Sequence, residues 1–178
     1  MSNIPSLREV IKDAEARHVA IGHFNISNLE GLWAIYRAAK AVGVPVVVGL
    51  SEGERDFVGV RQAAALVKSI REEFNYPIYI NADHTYTVER VKEAIDAGYD
   101  SIIIDVSKLP NEENISLTKK VVDYARLASA NCLGFHLPYL LLFPCLYSLS
   151  VRMNLAANSA LVKPQAIHLP SLNQWPYR

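Results

Sequence analysis

The sequence predicts an α/β protein built from successive parallel βα units, and two observations carry that reading. The apolar runs Val44 to Leu50 and Ile102-Ile103-Ile104 are continuous rather than alternating, as in strands covered on both faces. Amphipathic helical stretches stand between the strand-like runs, at the length a βαβ crossover needs. The pattern then stops: every Asp and Glu of the 178 residues lies at or before Asp123.

In chain order, Ser6 to Arg17 reads as a short helix. Ser6 and Glu9 have capping-box spacing, and Leu7, Val10, Ile11 and Ala14 share a face. His18 to Ile26 is strand-like, with Val19, Ile21 and Phe24 as its apolar members. Ser27 with Glu30 forms a second capping box; the helix it opens carries Leu29, Leu32, Trp33, Tyr36 and Ala39 as its stripe and is stopped by Gly43 and Pro45. Val44 to Leu50 is the second strand. Gly59 to Phe74 is helical, with Ala63, Leu66, Val67 and Ile70 inward, and Pro77 to Ala82 is the third strand. Thr87 to Ala97 is a helix with Val88, Val91 and Ile95 inward and Gly98 at its end. Asp100 to Val106 is the fourth strand. Asn111 to Ala125 closes the series, with Asn111 as N-cap, Glu112 and Glu113 in the first turn, and Ile115, Val121 and Val122 inward. Four such units fit a doubly wound sheet or half of a (β/α)8 barrel, a whole barrel taking about 250 residues.

After Arg126 only Arg152, Lys163 and Arg178 are charged, and Pro138, Pro144, Pro164, Pro170 and Pro176 crowd the same stretch. A boundary is therefore expected near residue 126, dividing 1–126 from an irregular tail at 127–178. Cys132 to Val151 is apolar and long enough to span a membrane. Prolines, His136 and serines interrupt it and no basic cluster flanks it, so a membrane anchor is not expected. The tail reads either as a loosely packed appendage or as out-of-frame sequence, and the sudden loss of all acids favours the second.

Eighteen basic and 18 acidic residues cancel, which argues against a nucleic-acid or anionic-membrane partner held by bulk charge. Met1 to Val10 has no basic start and no apolar core, so no secretory signal is expected and a cytoplasmic protein is. Cys132 and Cys145 make neither a disulfide framework nor a Cys-rich zinc site.

Chemistry is expected where the strands end. Strand one ends in Asn25, strand two in Ser51, strand three in Asp83-His84 and strand four in Asp105. A parallel array brings all four ends to one side, where ligands bind. Taken singly, Asn25 and Ser51 read first as turn or cap residues. Asp83 with His84 reads equally as an Asx turn beside a surface histidine or as a reactive pair. Asp105 follows an apolar run, where an ionised carboxylate needs a partner, either a salt bridge (Lys108 is near in sequence) or a metal. Together the four point to metal-assisted chemistry, with an imidazole ligand, one carboxylate as acid/base and another as a second ligand. One histidine and two aspartates do not complete a zinc site. His18 and His23 read as core or edge histidines, and His136 and His168 lie in the tail.

The segments Ile21-Gly22-His23-Phe24-Asn25-Ile26-Ser27-Asn28-Leu29-Glu30, Ser51-Glu52-Gly53, Ala82-Asp83-His84, Asp96-Ala97-Gly98-Tyr99-Asp100-Ser101 and Ile104-Asp105-Val106-Ser107-Lys108-Leu109-Pro110, followed by Glu113-Asn114-Ile115, resemble the class II, metal-dependent ketose-bisphosphate aldolases, the fructose- and tagatose-bisphosphate aldolase family. The resemblance runs from about residue 4 to residue 126. It implies the first half of a TIM (β/α)8 barrel with zinc at the C-terminal face, and a second divalent or monovalent cation beside it. It further implies that His84 ligates the catalytic metal, that Asp105 holds a second or alternative metal position, and that Asp83 moves the proton on the substrate's C4 hydroxyl. Ser51 would contact substrate and Asn25 would support the same rim. The implied reaction is reversible cleavage of a phosphorylated ketose to dihydroxyacetone phosphate and an aldehyde, the implied assembly a homodimer. Thr85 and Val106 stand where the family commonly has Gly, and His23 replaces a small or apolar residue. The fifth-strand glutamate and the two later zinc-ligand histidines have no recognisable counterpart, so the chain is expected to be truncated and inactive alone. A non-enzymatic half-barrel that self-associates or pairs with another chain is the alternative.

Overall fold

The computed structural model describes residues 4–128 and 130–134. Their elements are α1 (Leu7–Ala16), β1 (Gly22–Asn25), α2 (Leu29–Val42), β2 (Val46–Leu50), α3 (Glu52–Val58), α4 (Val60–Phe74), β3 (Ile78–Thr85), α5 (Val88–Asp96), β4 (Ser101–Ile104), α6 (Asn111–Leu127) and β5 (Asn131–Gly134). The membrane reading of Cys132 to Val151 falls almost wholly outside the described residues, as do His136 and His168. No described helix is long and apolar enough to cross a membrane.

The strands form one parallel sheet in the order β1-β2-β3-β4-β5. A doubly wound sheet reverses its order at a switch point, whereas a barrel adds each strand beside the last. The sequential order therefore makes this the first half of a (β/α)8 barrel. The sequence reading counts four strands; β5 adds a fifth, pairing with β4 beyond residue 126.

Alternation along the strands divides the core in two. Val46, Val48, Leu50, Ile78, Ile80, Ala82, Ile102 and Ile104 face the helices, where Leu32, Tyr36, Val67, Val91 and Val121 cover them. The opposite face would line a closed barrel. At its lower end Leu7, Val10 and Ala14 of α1 pack on Ile21, Val47 and Tyr79.

Several sequence expectations need correction. The second helix is capped by Asn28, whose side chain accepts from the Gly31 amide at 2.8 Å, and not by Ser27. Pro110, not Asn111, holds the N-cap position of α6. There the buried face runs through Asn114, Val121 and Ala125, so Ile115 lies exposed. Asn114 decides this, because its side-chain amide donates to the Val106 carbonyl at 3.0 Å. Leu66, read as inward, is exposed, as are Leu29 of the second helix's stripe and Val19 and Phe24, the apolar members of the first strand-like run.

Candidate functional site

The site begins with an irregularity in β3. Adjacent residues of a regular strand point to opposite faces. Here the register between β3 and β4 shifts between Ala82 and Thr85, and His84 takes φ 41, in the left-handed region. The bulge lets Asp83 and His84 reach the same rim, with His84 Nε2 3.9 Å from Asp83 Oδ1. Thr85 then rejoins the ladder opposite Ile104.

Each member of the pair has its own support. Asn25, at the end of β1, donates its Nδ2 to Asp83 Oδ2 at 3.0 Å. Asp105, one residue past β4, places Oδ2 2.9 Å from His84 Nδ1. Its other oxygen accepts from the Ser107 hydroxyl at 2.7 Å and the Ser107 amide at 3.3 Å. The partners of Asp105 are thus His84 and Ser107, not Lys108. Burial raises the Asp105 pKa, but the Ser107 and His84 hydrogen bonds outweigh burial and leave it below its ordinary value.

Ser51 stands on the same rim as the N-cap of α3. Its hydroxyl accepts from the Glu54 amide at 3.4 Å, and its own amide donates to Glu54 Oε2 at 2.6 Å. Asn25 Nδ2 also reaches that Oε2, at 3.3 Å. Ser51, Glu54, Asn25 and Asp83 are therefore linked, and His84, Asp105 and Ser107 continue the line beside them. All five residues singled out from the sequence meet here. Glu54 was missed, although Ser51-x-x-Glu54 repeats the capping-box spacing of Ser6 and Glu9. Arg55 was also missed. It is buried, and it donates to the carbonyls of Leu50 and Asp83 and to the Thr85 hydroxyl. Asp83 and Thr85 lie 28 and 30 residues away, and partners so remote leave no local signal.

Below the rim, His23 Nε2 lies 3.2 Å from Asn81 Nδ2, and Ser101 Oγ donates to Asn81 Oδ1 at 2.8 Å. The three form a polar layer across β1, β3 and β4. Burial pulls the His23 pKa down, while nearby Asp83 acts in the opposite direction.

The family model for class II fructose-bisphosphate aldolase matches residues 5–132. The chain belongs to the class II fructose-bisphosphate aldolase family. It is 42% identical over 124 residues to the 6-phospho-5-dehydro-2-deoxy-D-gluconate aldolase of Halalkalibacterium halodurans, covering 68% of this chain and 43% of that protein. To the fructose-bisphosphate aldolase of Staphylococcus aureus strain Mu50 it is 41% identical over 123 residues, or 67% of this chain and 43% of the other. The chain thus spans less than half the length of these curated relatives. Among solved structures, the YdjI aldolase of Escherichia coli K12 superposes with a TM-score of 0.68 at 27% identity, over 74% of this chain and 51% of that one. The fructose-bisphosphate aldolase of Campylobacter jejuni does so at 0.67, over 75% and 47%; at 21% identity that likeness concerns the fold alone.

Aldolases of this class generally use zinc. The donors present fit such an ion in kind: an imidazole carrying a carboxylate on Nδ1 is how ligating histidines are commonly oriented. They do not fit in number. A catalytic zinc takes three protein ligands, and among the described residues no group of three or more His, Cys, Asp or Glu side chains could hold a metal. The three departures from the family pattern are each accommodated. Thr85 accepts from Arg55, the Val106 side chain is buried in the core cluster, and His23 meets Asn81.

Proposed function

We propose that this chain carries the acid/base part of a zinc-dependent ketose-bisphosphate aldolase site and that the 178-residue polypeptide does not turn over alone. The supporting observation is the paired arrangement at the rim: Asp83 held by Asn25, and His84 held by Asp105. The substrate class is a phosphorylated ketose, in keeping with the two sugar phosphates named in its relatives, and one product is dihydroxyacetone phosphate. Asp83 takes the proton of the C4 hydroxyl during cleavage and returns it during condensation. Asn25 occupies Oδ2, which leaves Oδ1 for that transfer. His84 would ligate the zinc and Asp105 would serve a second or alternative metal position; zinc held there would supply Lewis-acid polarisation of the substrate carbonyl. Ser51 contributes to substrate binding from the start of α3. The compartment is the cytoplasm.

The test is an aldolase assay with zinc and fructose bisphosphate, on this chain alone and mixed with a chain bearing the remaining strands of a relative. No turnover alone is expected, with turnover on mixing that Asp83→Asn abolishes. Activity of the chain alone would remove the incompleteness from this reading. Activity of the mixture that survives Asp83→Asn would remove Asp83 from its role. Out-of-frame origin of the tail is tested by translating the other two frames downstream of Arg126, where a glutamate-bearing strand and two later histidines are expected.

One observation favours pairing with another copy. β1 is an edge of the described sheet, and Phe24 on it is 53% exposed. Light scattering on the purified chain should show a dimer; a monomer rejects this second reading.

A further inference from the structure

We propose that Arg55 is the positioning residue of the Asp83–His84 pair: its guanidinium, locked between the ends of β2 and β3 and on the Thr85 hydroxyl, sets the bulge from which both side chains reach the rim. The inference rests on the reading of that pair as the reactive one.

A residue other than glycine enters the left-handed region only where its surroundings hold it there. Around His84 three contacts come from one side chain, beside the Asp105 amide on the Thr85 carbonyl and the Asp105 carboxylate on the imidazole. Arg55 Nη1 donates to the Leu50 carbonyl at 2.5 Å and to the Asp83 carbonyl at 3.1 Å. Arg55 Nη2 donates to Thr85 Oγ1 at 3.0 Å. The guanidinium therefore grips the chain on both sides of His84 and ties it to the neighbouring strand. It is 1% exposed and heads the fully buried side chains of the described residues by volume.

Stability alone does not account for a buried cation here. Taking a charge out of water is costly, and apolar side chains of similar volume join two strands at least as well. What an apolar residue cannot do is bind two carbonyls and a hydroxyl in one plane, which the guanidinium fork does. Nor would an ammonium reproduce it, having a compact head on a flexible stem. The residues it grips are those that bracket the pair: Leu50 precedes Ser51, Asp83 is one member, and Thr85 follows the other. Asn25 and Asp105 then orient side chains whose backbone Arg55 has already set.

The experiment uses the 178-residue chain and the variants Thr85→Val, Arg55→Lys and Arg55→Met. Circular dichroism checks folding, and the imidazole nitrogen shifts of His84 are read at one fixed pH against exposed His18. Thr85→Val should move the His84 signals away from those of a ring bonded to Asp105. Arg55→Met should move them further, and Arg55→Lys should not restore them. Because loss of Arg55 also removes a tie between strands, Thr85→Val, which deletes one bond, decides the matter if Arg55→Met does not fold. Unmoved His84 signals in folded Thr85→Val and Arg55→Lys would overturn the proposal. In the mixed assembly that carries activity, Thr85→Val should lower kcat about tenfold to a hundredfold with KM unchanged, the scale seen when an orienting partner is lost. Moved signals with unchanged kcat would keep Arg55 as the residue that sets the bulge and reject the pair as the reactive one.

Discussion

At the scale of single residues, Gly49 shows how little space the rim leaves. A Cβ there would stand 2.5 Å from His23 Nε2 and 2.7 Å from Asn25 Oδ1. Both side chains cross over β2 at this glycine, one toward Asn81 and one toward Asp83. Gly49→Ala should cost about 1–3 kcal/mol, the range for overpacking a fitted site. Urea unfolding should show a lower midpoint at unchanged slope; an unaltered midpoint would show that the crossing tolerates a methyl group. His23 makes a pH prediction. Its folded pKa lies below 6.5, so between the two values the unfolded chain binds the proton more readily. Stability should therefore fall as pH drops from above 6.5 toward the folded value. Unfolding midpoints at about pH 7.5 and about pH 5.5 should differ more in the native chain than in His23→Gln. Equal differences would place the dependence elsewhere.

At the scale of elements, α3 is the short helix that the sequence reading left unassigned. It begins at the rim through the Ser51–Glu54 box, so the cap that starts the helix also carries the carboxylate that meets Asn25. Ser51→Ala should cost about 1 kcal/mol for the lost cap, measured by thermal or urea unfolding. Glu54 keeps its bond to the backbone amide of residue 51, so the Asn25 side-chain amide signals should stay in place; a shift in them would show that the Ser51 hydroxyl also holds Glu54. The box that caps α1 shows where local reading succeeds. Ser6 with Glu9 was read as a box and is one, since spacing and chemistry suffice when nothing else competes. Ser27 with Glu30 has the same spacing, but Asn28 stands beside Ser27 with an equally good acceptor. Which of two caps is used depends on how the chain leaves β1, and spacing does not record that.

At the scale of the whole molecule, the chain start is tied to the middle of the sheet. Tyr79 of β3 donates its hydroxyl to the Pro5 carbonyl at 2.5 Å, beneath the packing of α1 on Ile21 and Val47. Burial pushes this phenol up to about 12, so it stays a donor throughout the neutral range. Tyr79→Phe should cost about 0.5–1.5 kcal/mol, the net worth of one such bond. Hydrogen exchange should quicken in α1 before it does in β2 or β3. Uniform quickening would mean that α1 and the sheet open together.

By itself the sequence determined the βα repeat, the family and the rim. Continuous apolar runs, helix stripes and the residue just past each strand are properties of neighbours along the chain. That is why Asn25, Ser51, Asp83, His84 and Asp105 could be singled out before any contact was known. The pattern of apolar runs alone left open whether the units wind to both sides or into a barrel, because strand order depends on where each crossover lands. The family resemblance implied the barrel, and the strand order of the folded sheet bears it out. Only the tertiary structure decided that Asp83 and His84 share one rim, which a regular strand forbids and a bulge permits. Arg55 belongs to the same class of fact: its bonds join residues 28 and 30 positions away in the chain, and only the folded sheet brings them within reach.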